Sequence, residues 1–282
     1  MNRLLVLLLS LVCSATHAEV KITRDIHYGP GPEQIVDVYQ PDQCRSTPCP
    51  VTIWVHGGGW RHGNTSGRRS TDMQTVWAEQ GIVMVGINYR LAPRYQHPAQ
   101  IEDVASAISW VHDNIVQYGG NPNRVSLLGH SAGAHLVALV ATNPSYLGAH
   151  HLTPKAALAN VFPIDTASFD LTRPSRPVER MVKNAFGEDE AVRREASPIW
   201  NVVKGGSYPP FYIAATSVRT DAVQTSEELV RKLKEAGTPV EFITMDYPGA
   251  GQLMAHAKIA GDLAKVDNRM TQALLSRVLQ RP

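Results

Sequence analysis

Gly129-His130-Ser131-Ala132-Gly133 sets a serine midway between two glycines. A serine hydroxyl is a poor nucleophile until a neighbouring base takes its proton, so a reactive serine needs a histidine, and the histidine an orienting carboxylate. The apolar run Val125-Ser126-Leu127-Leu128 precedes the pentapeptide, and the alanine-rich run Ala134–Thr142 follows it. A strand, a sharp turn and a helix with serine at the apex form the context of a nucleophile elbow. The flanking glycines fit because a Cβ at either position would crowd the neighbouring strand or helix.

The remaining parts of such a site are sought separately. His56-Gly57-Gly58-Gly59-Trp60 follows the apolar run Val51–Val55, and consecutive glycines let backbone N–H groups turn toward one point. Gly58 and Gly59, joined by the N–H of Ala132, are the expected donors to a developing oxyanion. Around an elbow of this kind the partners follow in the order serine, acid, histidine. His256 is the only histidine after Asp221 and is taken as the base. Asp221 is assigned as the acid, with Asp246 second and Asp165 third. The competing role for Asp221 is capping of the helix beyond it. His56, His62 and His130 precede the acid, and His56 is expected to shape the glycine loop. Trp60 and Tyr89 are candidate substrate-binding aromatics, with ordinary packing as their alternative.

These residues need a frame. Alternation predicts strands over Val20–His27 and Gln34–Tyr39, and short apolar runs predict strands over Val51–Val55 and Ile82–Ile87. Ile101, Val104, Ala105, Ile108, Val111 and Ile115 recur at helical spacing behind Pro98, and Gly119-Gly120 end that helix. Further helices are expected over Thr71–Glu79, Ser226–Ala236 and Asn268–Leu279, with strands over Ala156–Phe162, Phe211–Thr216 and Val240–Met245. His256 falls in a loop or early helical turn after the last strand. Residues 163–210 read as loop-rich, the place for a lid and an acyl pocket. Alternating strands and helices predict an α/β fold with a mostly parallel central sheet and helices on both faces.

Composition narrows the class. Of 282 residues, 43% are hydrophobic and 18% charged, which suits one domain with a substantial core. A formal net charge of +2, spread without a basic stripe, points away from nucleic acid as a partner. Arg3, the apolar run Leu4–Val12 and the small residues before Ala18 read as a signal peptide over residues 1–18, leaving a domain over 19–282. The apolar run is too short to span a bilayer, so a periplasmic or secreted protein without stable membrane insertion is expected. After signal removal Cys44 and Cys49 remain, an even pair that an oxidising compartment would join. No Cys/His cluster suggests a metal, and no oligomeric state can be read.

HGGGW at His56–Trp60, NYRLAP at Asn88–Pro93, HPAQIEDV at His97–Val104 and GGNPNRVSLLGHSAGAHLVAL from Gly119 resemble the α/β-hydrolase superfamily. The chain is most similar to bacterial carboxylesterases grouped with feruloyl-esterase-like proteins, with kynurenine formamidases close by, and the likeness covers nearly the whole mature chain. It implies a serine esterase acting on a small-molecule ester through an acyl-enzyme, with no cofactor. An arylformamidase-type amidase with the same triad is the alternative, and a non-catalytic hydrolase-fold binding protein the third reading. Two stretches depart from the family pattern. Relatives carry a glycine shortly before the acid, where this chain has Ser217-Val218-Arg219-Thr220-Asp221. Their histidine closely follows a Pro-Gly turn, whereas here Ala250–Ala255 intervene between Pro248-Gly249 and His256.

Overall fold

The structure, a computed structural model, describes residues 19–280. The expected signal peptide over 1–18 lies outside the described residues. Two strands, β1 (Val20–His27) and β2 (Ile35–Pro41), open the chain, and β3 (Cys49–Val55) carries it into the interior. There follow α1 (Arg68–Glu79), β4 (Val83–Ile87), α2 (Ala99–Asn114), β5 (Gly120–His130) and α3 (Ala132–Thr142). Short helices α4 (Pro144–Gly148) and α5 (Pro154–Ala157) lead to β6 (Asn160–Ile164). Next come α6 (Arg176–Phe186), α7 (Glu190–Glu195) and α8 (Pro198–Asn201), then β7 (Phe211–Thr216) and α9 (Thr220–Glu235). The chain closes with β8 (Val240–Met245), α10 (Gln252–Asp262) and α11 (Arg269–Leu279).

All eight strands form one sheet in the order β1-β2-β4-β3-β5-β6-β7-β8. β2 is antiparallel to both β1 and β4, and every other pairing is parallel. Period-2 side-chain alternation explains why the central strands are apolar at nearly every position. Val51, Ile53 and Val55 of β3 join a core built with α2, α3 and α9, whereas Trp54 joins one built with α1, α10 and α11. On β5, Val125 and Leu127 face the first core and Leu128 the second. The sheet is thus covered on both faces, as expected of the α/β-hydrolase fold.

Three stretches differ from the sequence reading, and each bears on the site. The run expected as a strand over Ala156–Phe162 divides: Pro154–Ala157 is a helical turn with proline in its first turn, and the strand begins at Asn160. It runs on through Ile164, which brings Asp165 to the carboxyl end of the sheet. Residues 163–210 contain three helices rather than loop alone. The helix expected from Ser226 begins at Thr220, so Asp221 lies inside its first turn. Cys44 and Cys49 form a disulfide, and no helix among the described residues is long and apolar enough to cross a membrane.

Candidate active site

Ser131 stands between β5 and α3 with φ 57° and ψ −120°, a conformation that side-chain-bearing residues rarely hold. Its backbone N–H donates to the Ile164 carbonyl at 2.9 Å, tying the turn to β6. The glycines are required by space: a Cβ at Gly129 would collide with the Gly133 carbonyl, and one at Gly133 with the Val55 carbonyl. The expected elbow is therefore the observed one.

The glycine loop lies directly against it. A Cβ on Gly57 would come within 2.8 Å of the His130 carbonyl oxygen and 3.1 Å of Ser131 Cβ. Gly58 and Gly59 both take positive φ, 117° and 61°, which glycine alone adopts freely. His56 supports the loop, as the sequence suggests. Its ring stacks on Tyr89 at 4.4 Å, its Nδ1 lies 2.8 Å from the Gly57 carbonyl, and the Tyr89 hydroxyl donates to the His56 carbonyl at 2.9 Å. Burial pushes the His56 imidazole down to about 4, so it is neutral at ordinary pH.

The substrate-binding role expected of Trp60 and Tyr89 is corrected. Trp60 is 2% exposed and Tyr89 1%. Trp60 packs edge-on against His135 and Phe186 at 5.3 and 5.0 Å. Both aromatics brace the glycine loop from beneath. The residue against its outer side is Met181 of α6, whose Sδ would lie 2.5 Å from a Cβ built on Gly59.

His256 lies on the second turn of α10. Its ring packs on that of His130 at 4.3 Å, and His130 Nε2 lies 3.2 Å from the His256 carbonyl oxygen. Because His130 adjoins Ser131, this contact joins α10 to the elbow. Burial, with the neighbouring His256, pushes the His130 imidazole down to about 3. It therefore serves as a neutral wall.

The acid expected at Asp221 is corrected by the geometry. His256 Nδ1 lies 2.6 Å from Asp165 Oδ2. Asp165 is 1% exposed, with φ 53°. Its Oδ1 accepts from Thr216 N at 2.9 Å and Thr216 Oγ1 at 3.3 Å, and its own N–H donates to the Ala214 carbonyl at 2.7 Å. Although burial raises its pKa, bonds from His256, Thr216 and nearby Arg219 outweigh that and hold the carboxyl at about 2. Asp221 instead accepts from Ser175 Oγ at 2.8 Å and from the N–H of Ala222, as a first-turn acid at a helix N-terminus does. It lines a separate cavity of about 210 Å³ with Asp170, Arg173 and Glu228.

His130, Asp165 and His256 bring three potential ligand atoms within 4.8 Å of one another. These atoms do not fit a metal well, because Arg219 Nη1 lies 3.1 Å from Asp165 Oδ2 and 2.8 Å from His256 Nδ1. A metal cation there would stand beside a guanidinium. Arg219 itself went unnoticed in the sequence, where its only mark is the departure Ser217–Asp221. Asp165, ranked third, had a usable signal: like Ser131, it ends an apolar strand pointing to the same edge of the sheet.

Residues 36–233 match the BD-FAE family. The chain belongs to that family. It is a feruloyl-esterase-like branch of the α/β-hydrolases. Among curated proteins, esterase LipC of Mycobacterium tuberculosis is 31% identical over 257 residues, 85% of this chain and 62% of that protein. Esterase LipQ of the same organism is 34% identical over 210 residues, 68% of this chain and 47% of that one. The chain thus spans about half to three fifths of the length of these relatives. Among solved structures, esterase B from Lactobacillus rhamnosis superposes with a TM-score of 0.74 at 21% identity, covering 91% of this chain and 83% of that one. A truncated carbohydrate esterase from gut microbiota gives 0.75 at 19% identity, covering 94% and 97%. At such identities the likeness is one of fold, and it covers nearly the whole chain.

Proposed function

We propose that this BD-FAE protein is an exported serine carboxylesterase hydrolysing short-chain or aryl esters through an acyl-enzyme. The observation that carries the reading is the 2.6 Å contact between Asp165 and His256, packed beside the strained turn of Ser131. With the proton on Nδ1 directed at Asp165, His256 Nε2 is left as the lone-pair site for the Ser131 proton. Ser131 Oγ attacks the ester carbonyl carbon while His256 takes its proton. The carbonyl oxygen becomes an oxyanion held by the N–H groups of Gly58, Gly59 and Ala132. Collapse expels the alcohol, which leaves with the proton from His256. Water then attacks the acyl carbon, giving one proton to His256, and the freed acid departs as Ser131 regains that proton.

Met181 against Gly59 supports a short acyl group, because α6 leaves little depth beside the donors. The disulfide supports export, since such bonds persist in oxidising compartments; the mature chain would begin at Glu19, which N-terminal sequencing of secreted material checks. The function itself is tested by turnover of p-nitrophenyl acetate and methyl ferulate, with N-formylkynurenine as an amide control. Ester turnover that disappears in Ser131→Ala is the expected result. An undiminished rate in that variant would sink the assignment, and preference for the formamide would move the protein to amidase chemistry.

A further inference from the structure

Arg219 takes no part in the steps above, yet it is the most closely engaged charged side chain beside the pair. It is 9% exposed. Nη1 donates to the Asp165 carbonyl oxygen at 3.0 Å and to Oδ2 at 3.1 Å, and lies 2.8 Å from His256 Nδ1. On its other side, Nε is 3.9 Å from Asp221 Oδ1.

Donor accounting makes this arrangement consequential. A guanidinium only donates and a carboxylate only accepts, while Nδ1 of a neutral imidazole carries either one hydrogen or one lone pair. With hydrogen on Nδ1, His256 bonds Asp165 and faces the guanidinium without a bond to it. With the lone pair there, it accepts from Arg219, Nε2 carries the hydrogen, and His256 is useless as a base toward Ser131. Arg219 therefore assists only while it bonds Asp165. In that state it pins the aspartate through both backbone and side-chain oxygens, and places a positive charge against any imidazolium.

We propose that Arg219 is a positioning residue for the Asp165–His256 pair, fixing the carboxylate and disfavouring protonation of the imidazole so that activity extends to lower pH. The kinetic side of this inference rests on the esterase reading. The groups facing His256 are few. His130 comes from the end of β5, Asp165 from the turn after β6, and Arg219 from the turn after β7, with Asp221 behind it. On its own helix Lys258 is exposed, and Asp262 is engaged by Tyr247 and Lys265. Among the described residues, then, Arg219 is the cation seen engaged with the pair, and loss of the guanidinium leaves the Asp165 charge to favour the imidazolium.

The test uses Arg219→Gln and Arg219→Lys in the full mature chain, reading kcat/KM against pH on p-nitrophenyl acetate. In parallel, 15N NMR of the His256 imidazole is titrated in a Ser131→Ala background. Arg219→Gln is expected to move both the acid limb and the NMR titration upward by at least about half a pH unit. It should also lower kcat about tenfold with little change in KM. Arg219→Lys keeps the charge but not the two-point hold, so its acid limb stays in place while kcat falls at least about threefold. An acid limb that stays put or moves downward in Arg219→Gln overturns the proposal. So does a wild-type kcat in Arg219→Lys, which decides the matter alone should the glutamine variant not fold. Absence of any ester turnover in the wild type would count against the esterase reading. The NMR titration then judges Arg219 independently.

Discussion

Two aspartates compete for one role, and their surroundings separate them. Asp165 is held on every side: its N–H on Ala214, its Oδ1 on Thr216, its Oδ2 on His256 and Arg219, and its carbonyl on Arg219. A carboxylate so fixed can hold an imidazole in one tautomer and one orientation. Asp221 sits a guanidinium away, bonded to Ser175 and its own helix. Asp165→Asn should therefore lower kcat by about 10³–10⁴-fold on p-nitrophenyl acetate. Asp221→Asn should remain within about tenfold of the wild type, because it leaves the Asp165–His256 bond untouched. Equal losses from the two variants would return the role to Asp221. Nothing in the sequence ranks Asp165 first: both aspartates closely follow apolar strands, and only the folded arrangement sets Asp165, not Asp221, 2.6 Å from His256.

At the level of elements, parallel strands deliver the chemistry to one edge. β3 ends in the glycine loop, β5 in Ser131, β6 in Asp165 and β7 near Arg219, in the region where open α/β sheets bind ligands. β3 and α3 meet closely, because Gly133 leaves no room for a side chain beside the Val55 carbonyl. Gly133→Ala is expected to destabilise the fold and remove activity together, with thermal unfolding showing the loss. A normal unfolding midpoint would contradict the collision with Val55. Over the same edge, α6 brings Met181 to Gly59. Met181→Ala should raise the ratio of octanoate to acetate turnover about tenfold, since a few methylenes of added pocket carry that discrimination. An unchanged ratio would place the acyl group elsewhere. The elbow and the glycine loop were legible because steric need leaves glycines in the sequence. α6 and α10 were harder to see: the former lies in a stretch that reads as loop, the latter behind residues that depart from the family pattern.

For the molecule as a whole, pH and redox state act on the same two-sided core. His56, His130 and His135 are buried and held down to about 4, 3 and 3 from the usual 6.5. The unfolded chain takes up protons below 6.5 that the native state refuses, so stability falls as pH drops from 6.5 toward these values. Each histidine contributes on the order of 1 kcal/mol per pH unit in that window. Asp165, depressed to about 2 from 3.8, contributes stability that is present above 3.8 and lost between 3.8 and 2. Both effects have the same sign, and urea midpoints measured from pH 7 to 4 should fall continuously. A flat profile would mean that these histidines are not buried neutral. The Cys44–Cys49 bond removes only a short loop's worth of chain entropy from the unfolded state, so its reduction should cost about 2 kcal/mol at most; a larger drop in urea midpoint under reductant would show that the bond also braces β3.

Local constraints were enough to specify the strand–helix alternation, the elbow at Ser131, the glycine loop and His256 as the one histidine following the strands that carry the aspartates. Each depends on residue type and short spacing: apolar period, steric demand for glycine, and a single histidine in the right order. The aspartate that meets His256, and the guanidinium beside it, were decided only in three dimensions. Asp165 and His256 are 91 positions apart, and which carboxylate meets the imidazole depends on where β6 ends, where α9 begins and how α10 packs. Those boundaries are set by tertiary burial rather than by local pattern.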